Sequence, residues 1–272
     1  MENPYFALHK EFKAAGANVL LSSGQACVLL GIAAFSKDGD WIVREDTQSC
    51  SAILRVLATR KAVYRLGAPL DIRFLTQGWS SHFEFFTDGL RVRTDFVSRP
   101  PRIPDPSNLW ARAASKDEID LVAVEDLIKL KQTRRPRDYA VIGALAEVCG
   151  FNEHVPSLAL SYLQDYDLLR KAVEQWHEEA QRSDRDAVKK IVSGAPRRDV
   201  VIALALEQDE NVEEDNRRIA LYKDAMFSYQ RVFAELSSHW KIRGTPLSDQ
   251  HRELIALAEN HLQLPGRNHA CV

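Results

Sequence analysis

Residues 18–26 read Asn-Val-Leu-Leu-Ser-Ser-Gly-Gln-Ala, and residues 36–43 read Ser-Lys-Asp-Gly-Asp-Trp-Ile-Val. The first stretch is typical of a short buried strand that turns at Gly24 into an apolar helix. The second stretch predicts another strand, which begins with two carboxylates. Because residues i and i+2 of a strand lie on the same face, Asp38 and Asp40 are expected to project side by side.

The predicted pair of acids lies where a helix N-terminus is also expected. Two carboxylates on one face repel each other unless a cation lies between them, and hard oxygen ligands select Mg²⁺ or Mn²⁺. The turn at Gly24 offers free backbone N–H groups and a positive helix end to a phosphate. This combination is typical of phosphoryl or nucleotidyl transfer. The alternative is that Asp38-Gly-Asp40 is an ordinary turn.

A third acid follows in residues 91–97, Arg-Val-Arg-Thr-Asp-Phe-Val, which predict a strand. Asp95 is flanked there by apolar residues, and an acid inside a strand costs free energy unless it is paired or binds a metal. Asp95 is therefore a candidate for a third carboxylate of the same site. The alternative is an ion pair with Arg93 at the sheet edge.

A basic segment at residues 124–139 predicts a helix with a break at Pro136. Lys131, Arg134 and Arg135 fall on adjacent turns of one side of this helix. They are candidates for contacts with a triphosphate or an acidic substrate. The alternative is a solvated helix face.

The order of these motifs, over about residues 18–149, resembles the nucleotidyltransferase superfamily. The likeness extends to Glu-Asp-Leu-Ile-x-x-Lys and the downstream Arg-x-Arg-Asp. Within the superfamily, the chain is most similar to the toxin-type and uncharacterised bacterial members called AbiEii-like. The resemblance implies that Asp38 and Asp40 bind Mg²⁺ and that Asp95 is the third carboxylate, acting as base or second-metal ligand. It also implies roles for the following residues: Ser23, Gly24 and Gln25 hold the nucleotide phosphates, Lys131 touches the triphosphate, and Arg137 and Asp138 lock the helix pair beneath the site.

Three positions depart from the family pattern of Gly-Gly-Thr-Ala and Ser-x-Asp-h-Asp, where h is apolar. Ser23 replaces the first glycine, which is tolerable if its φ is negative. Gln25 occupies the threonine position. Gly39 replaces the apolar residue between the two aspartates and is expected to loosen the strand. None of the three changes removes a carboxylate.

Two function hypotheses follow. The first is a Mg²⁺-dependent nucleotidyltransferase that moves an NMP from an NTP to an acceptor hydroxyl and releases pyrophosphate; the acceptor is an RNA end, a protein or a small molecule. The second is a catalytically degenerate family member that binds a nucleotide or a partner without turnover. A toxin-type member implies a cognate antitoxin protein as partner.

The expected fold class is α+β, with a small mixed β-sheet and flanking helices that are nucleotidyltransferase-like, followed by an all-helical C-terminal region. The 272 residues suffice for one large or two small domains. We place the boundary between a nucleotidyltransferase-like domain, residues 1–115, and a helical domain, residues 116–272. Strands are also expected at residues 63–66, 70–75, 82–86 and 90–98, and helices at 117–134 and 136–149.

The composition limits the partners. Lys and Arg total 36 against 38 Asp and Glu, a formal net charge of −2. This balance argues against a general nucleic-acid coat protein and restricts nucleic-acid partners to a tRNA end. The four cysteines show no regular spacing and are interpreted as free thiols, a single disulfide or redox site being the alternative. With no signal sequence and no long apolar run, a cytoplasmic protein with no membrane partner is expected.

The remaining sequence motifs exclude other classes of site. The chain contains no P-loop and no dinucleotide-binding glycine pattern, and His177-Glu-Glu lacks the second histidine of a zinc-protease motif. No G-x-S-x-G elbow supports a nucleophilic serine.

Overall fold

The computed structural model describes residues 3–262. The fold is α+β: a mixed seven-stranded sheet with flanking helices, and a long helical C-terminal region. The predicted fold class is therefore confirmed. The described residues form two compact units, one made of residues 3–123 together with residues 220–262, and the other of Val124–Ile219. The domain boundary placed between residues 115 and 116 stays a prediction about folding units.

The strands of the sheet all lie in the first unit. They are, in chain order, β1 (Val19–Ser22), β2 (Asp38–Val43), β3 (Val63–Gly67), β4 (Ser81–Thr87), β5 (Leu90–Val97), β6 (Ala114–Lys116) and β7 (Ile119–Leu121). Their order across the sheet is β3-β4-β5-β2-β1-β7-β6. The β2–β5 and β1–β7 pairs are parallel and the other pairs are antiparallel.

Thirteen α-helices lie within residues 3–262. They are α1 (Pro4–Ala14), α2 (Ser23–Leu29), α3 (Thr47–Thr59), α4 (Ile72–Leu75), α5 (Ser107–Arg112), α6 (Val124–Lys131), α7 (Pro136–Glu147), α8 (Pro156–Tyr162), α9 (Tyr166–Gln175), α10 (His177–Gln181), α11 (Asp186–Val192), α12 (Arg197–Arg243) and α13 (Leu247–His261). One π-helical turn, Val148–Asn152, extends α7. None of these helices combines the length and apolarity that crossing a membrane requires.

An aromatic row forms the core on one face of the sheet. Trp41 on β2 stacks on Phe96 of the neighbouring β5, with ring centroids 5.5 Å apart and planes 19° apart. Phe12 of α1 meets both rings edge-on, and Phe83 of β4 continues the row. All four side chains are fully buried. The alternation of strand residues therefore turns Asp40 and Asp95, the sequence neighbours of Trp41 and Phe96, to the opposite face.

Helices from the C-terminal part of the chain complete this unit beside β3. The hydroxyl of Tyr229 on α12 donates to the carbonyl oxygen of Gly67 at 2.8 Å. The side-chain oxygen of Gln250 on α13 accepts from the backbone N–H of Tyr64 at 3.1 Å. α13, which begins directly after Pro246, is part of the expected helical C-terminal region.

The predictions of two secondary-structure elements are wrong. Residues 70–75 were expected as a strand, but Ile72–Leu75 is a short helix because the Asp71 side chain caps it by accepting from the Arg73 N–H. Residues 114–121 form the β6–β7 hairpin, so the helix expected from residue 117 begins only at Val124. A hairpin at the sheet edge satisfies β-ladder hydrogen bonds that a helix could not make.

The basic helix is also shorter than expected, since α6 ends at Lys131. Arg134 and Arg135 therefore do not continue one helix face. The backbone N–H of Arg134 donates to Asp215, and Nε of Arg135 donates to Asp138 at 2.7 Å. The prediction of three cations on adjacent helical turns is wrong for this reason.

Cys27, Cys50 and Cys149 are buried thiols that form no disulfide, which confirms the prediction for these three. Cys271 lies outside the described residues. Burial raises the pKa of Cys50 to about 12 and that of Cys149 to about 11, so both thiols stay protonated at neutral pH.

A buried histidine ties α1 to the sheet. Nδ1 of His9 lies 3.2 Å from the indole N–H of Trp41, and Nε2 lies 3.1 Å from the backbone N–H of Asp120. Both neighbours are donors, so the ring has to remain neutral to accept from either one. Burial lowers the pKa of His9 from 6.5 to about 4, against the opposing charge of Asp120.

We predict that His9 makes the fold acid-sensitive. The unfolded chain takes up this proton first as the pH falls below 6.5, so the free energy of unfolding is greatest above that pH and decreases until the pH reaches about 4. The whole shift is worth about 3 kcal/mol, of which about 2 kcal/mol is lost between pH 6.5 and 5. Urea unfolding at pH 7 and pH 5 should show this loss in the wild type and not in His9→Gln. The exposed His177→Gln should behave as the wild type, and equal losses in all three proteins would contradict the prediction.

Candidate functional site

The three predicted carboxylates lie on adjacent strands. In the parallel pairing of β2 with β5, Asp40 lies opposite Asp95 and Asp38 lies opposite Arg93. Paired residues of neighbouring strands project on the same face, so Asp38, Asp40 and Asp95 share the face opposite the aromatic row. Residues 38–43 are a strand, and the alternative of a plain turn is wrong.

Asp38 carries an oxygen without a hydrogen-bond donor. Its Oδ1 is buried and unsatisfied, although the side chain as a whole is 40% exposed. The guanidinium of Arg93 comes to 3.6 Å, beyond hydrogen-bond distance. The acids also act on Tyr5: burial and the charges of Asp38 and Asp40 raise the pKa of its hydroxyl, which donates to the carbonyl oxygen of Lys37.

Asp95 is held by two partners that the sequence did not identify. Its Oδ1 lies 2.8 Å from Nη2 of Arg65 and 2.7 Å from Nδ1 of His82. Burial alone raises the pKa of Asp95, but His82 and Arg65 outweigh it and hold that pKa below its usual value. The alternative of an edge pair with Arg93 is wrong, because β5 lies between β4 and β2.

Local backbone features place these two partners. The register of β3 against β4 shifts between Tyr64 and Leu66, so Arg65 is the extra residue of a bulge and reaches over β4 to Asp95. Gly67 has a φ of +92°, and a Cβ there would lie 2.5 Å from the His82 ring. The glycine therefore leaves the space that the imidazole occupies.

The predicted phosphate turn has a conformation that the sequence did not indicate. Ser23 has a φ of +51°, so the condition of a negative φ is not met, and the serine occupies the left-handed region that favours glycine. Ser22 precedes α2 without a side-chain cap. The amide of Gln25 is buried, donates to the carbonyl oxygen of Ser36 at 2.8 Å and accepts from Asn3 at 2.9 Å.

Gly24 and Gly39 are both packing positions. A Cβ at Gly24 would lie 2.8 Å from the Cβ of Ser36 and still closer to its hydroxyl. A Cβ at Gly39 would lie 2.5 Å from the ring of Tyr5 and 2.6 Å from that of Trp41. The expectation that Gly39 loosens the strand is thus replaced by a steric reason: the core rings occupy the space of its side chain.

Lys131 belongs to the other compact unit. It is buried, and its Nζ lies 3.8 Å from Oδ1 of Asp138. Asp138 also accepts from Thr133 at 2.6 Å, so it joins the end of α6 to the start of α7. The role that the resemblance implies for Arg137 and Asp138, locking this helix pair beneath the site, stays a prediction. The triphosphate contact of Lys131 stays a prediction.

The roles of Ser23, Gly24 and Gln25 toward phosphates stay predictions as well. No group of three His, Cys, Asp or Glu side chains within residues 3–262 is arranged to hold a metal ion. The metal-ligand roles of Asp38, Asp40 and Asp95 stay predictions. The residues that sequence reasoning missed are Arg65, Ser80 and His82. The alternation of Ser81-His-Phe-Glu-Phe could have placed His82 on the open face, but nothing in the sequence indicates the bulge at Arg65.

Comparison with protein-family models and with curated proteins found no match to this chain. The resemblance to nucleotidyltransferases therefore depends on the sequence motifs alone.

We predict that Gly24→Ala destabilises the protein, because the added methyl group forces Ser36 and the turn before Asp38 to move. The expected cost is about 1–3 kcal/mol in the free energy of unfolding, measured with urea. Gly143→Ala is the matched control, because a Cβ there meets nothing within 4 Å and α7 gains a better helix former. Ser36→Gly added to Gly24→Ala should restore part of the loss, and a neutral Gly24→Ala would contradict the packing explanation.

Proposed function

We propose that this protein is a nucleotidyltransferase that transfers an NMP from an NTP to an acceptor hydroxyl and releases pyrophosphate. The observation that supports it best is the β2–β5 register, which gathers Asp38, Asp40 and Asp95 on one sheet face. Burial of these acids in the core would cost free energy, and acids that lay far apart could not bind one ligand together. Their convergence beside α2 is what transfer of a phosphate-bearing group requires.

The carboxylates fit a divalent cation. The donors are hard oxygens, and the buried Oδ1 of Asp38 lacks a hydrogen-bond donor. Asp38 and Asp40 would hold Mg²⁺ or Mn²⁺, which neutralises phosphate charge when bound. Asp95, already engaged by Arg65 and His82, is assigned to the side from which the acceptor approaches.

The other groups on this face are suited to an anionic substrate. Arg65 and Arg93 place two guanidinium groups among the acids, and a guanidinium binds phosphate oxygens in a planar, directed way. The first turn of α2, which no side chain of Ser22 caps, presents N–H groups toward the same end of β2. These residues would orient the triphosphate, while Asp95 remains an anion beside it.

A degenerate binding module is the second candidate, and one observation favours it. Arg65 already compensates the charge of Asp95, and His82 lies against the same oxygen, as they would in a site that no longer uses this carboxylate. In that case the chain would bind an NTP, or a partner protein such as an antitoxin, without releasing pyrophosphate.

The two candidates predict different results for one pair of variants. Asp38→Asn/Asp40→Asn should abolish the Mg²⁺-dependent part of NTP binding in calorimetry, because the cation loses both ligands. Pyrophosphate release by the wild type, lost in the same variant, indicates a transferase, and binding without release indicates the binding module. We predict release.

The matched control is Asp88→Asn/Asp117→Asn, which removes the same charge from two exposed turn positions with positive φ, where asparagine is well tolerated. It should bind and release as the wild type does. NTP binding that survives in Asp38→Asn/Asp40→Asn would refute the site.

A further inference from the structure

A serine, a histidine and an aspartate lie in a row: Ser80 directly precedes β4, His82 is on β4, and Asp95 is on β5. Oγ of Ser80 is 2.8 Å from Nε2 of His82, and Nδ1 of His82 is 2.7 Å from Oδ1 of Asp95. The second contact is close but misaligned as a hydrogen bond, which is common in catalytic groups before a substrate binds. A hydroxyl on a base that a carboxylate orients is the arrangement of an activated nucleophile.

The carboxylate determines which ring nitrogen is available. An ionised carboxylate only accepts hydrogen bonds, so it favours the tautomer with a hydrogen on Nδ1. Nε2 of His82 then presents its lone pair to the hydroxyl of Ser80. The side chains of Ser80 and His82 are half-buried, so both are partly open to a ligand on the sheet face.

Two backbone features make room for the row of Ser80, His82 and Asp95. Gly67 leaves the space of the imidazole, and the bulge at Arg65 brings a guanidinium onto Asp95. Arg65 thus compensates the negative charge of Asp95 in the row that holds Ser80. A positive group there also favours the approach of a negatively charged phosphate. The apolar neighbours on β4 point to the other face and play no part in the row.

The row lies next to the proposed cation ligands. His82 is opposite Asp95 on β5, and Asp95 is opposite Asp40 on β2. Two strand spacings of about 4.8 Å separate β4 from β2. An extended triphosphate together with a cation held by Asp38 and Asp40 would bridge this distance, with its α-phosphorus toward Ser80 and its outer phosphates toward the two acids.

We propose that Ser80 is itself an acceptor hydroxyl, so that the chain transfers an NMP to its own serine. This inference rests on the proposed nucleotidyltransferase function. Oγ of Ser80 forms a bond to the α-phosphorus of the NTP, and the bond from that phosphorus to the bridging oxygen breaks. Pyrophosphate leaves with the electron pair, and the serine proton moves to Nε2 of His82. Asp95 is the positioning residue that holds the imidazole.

Incubation with α-labelled NTPs and Mg²⁺ should attach one nucleotidyl group per chain, which peptide mass mapping places on Ser80. Ser80→Ala should lose the label, and His82→Gln should slow its formation by about 10²-fold or more, as loss of a general base does. Thr87→Ala, which removes a hydroxyl from the end of β4 far from Ser80, is the control that keeps wild-type labelling. A label on any other residue, or one that survives in Ser80→Ala, overturns the proposal.

NTP binding by the wild type separates this inference from the function on which it rests. Metal-dependent binding with pyrophosphate release and no covalent label overturns the role of Ser80 and leaves the nucleotidyltransferase. Absence of any NTP binding overturns both. Binding, release and a label on Ser80 support both.

A reagent for activated serines tests the row without metal or nucleotide. A fluorophosphonate carries an electrophilic phosphorus, so it should modify Ser80 in the wild type and react about 10²-fold more slowly with His82→Gln. Reaction no faster than that of the unfolded chain would show an inactive hydroxyl and contradict the proposal.

Discussion

The parallel pairing of β2 with β5 is the interaction on which the rest of the structure depends. It stacks Trp41 on Phe96 in the core and, by the alternation of strand side chains, sets Asp40 beside Asp95 on the other face. A slip of one residue would bury the acids and expose the rings, so the hydrophobic effect on one face fixes the electrostatics on the other. Losing a large aromatic side chain from such a core costs about 3–5 kcal/mol, so the packing of the rings strongly opposes such a slip.

The charges on the open face are compensated within the sheet. Asp95 has Arg65 and His82, and Asp38 has Arg93 nearby but an unsatisfied Oδ1. This asymmetry separates the acids by role: the compensated carboxylate can serve as a fixed anion, whereas the uncompensated oxygen is where a cation would gain most. A fold maintained for stability alone would more often replace such a group than leave it unsatisfied.

The features of the site that depend on strand periodicity could be predicted from the sequence. The features that depend on contacts between remote residues could not. The spacing of Asp38 and Asp40, and the alternation around Asp95, are local properties, so the common face could be foreseen. The partners of Asp95 depend on a bulge at Arg65 and on the space at Gly67, which no local pattern encodes. The short helix after Asp71 and the β6–β7 hairpin were missed because capping and edge pairing overrode weak propensities.

Ser23 holds a left-handed backbone conformation that favours glycine. A left-handed conformation costs a residue with a Cβ about 1–2 kcal/mol, and such strain persists only where the surroundings enforce it. Here Gln25 fixes the turn to Ser36, and Gly24 lets that serine pack against α2. The turn keeps its shape although the glycine that would adopt it freely is absent. The left-handed conformation of Ser23 and the unsatisfied oxygen of Asp38 both cost stability, and the proposed binding of a phosphate-bearing ligand with its cation would give a reason for both.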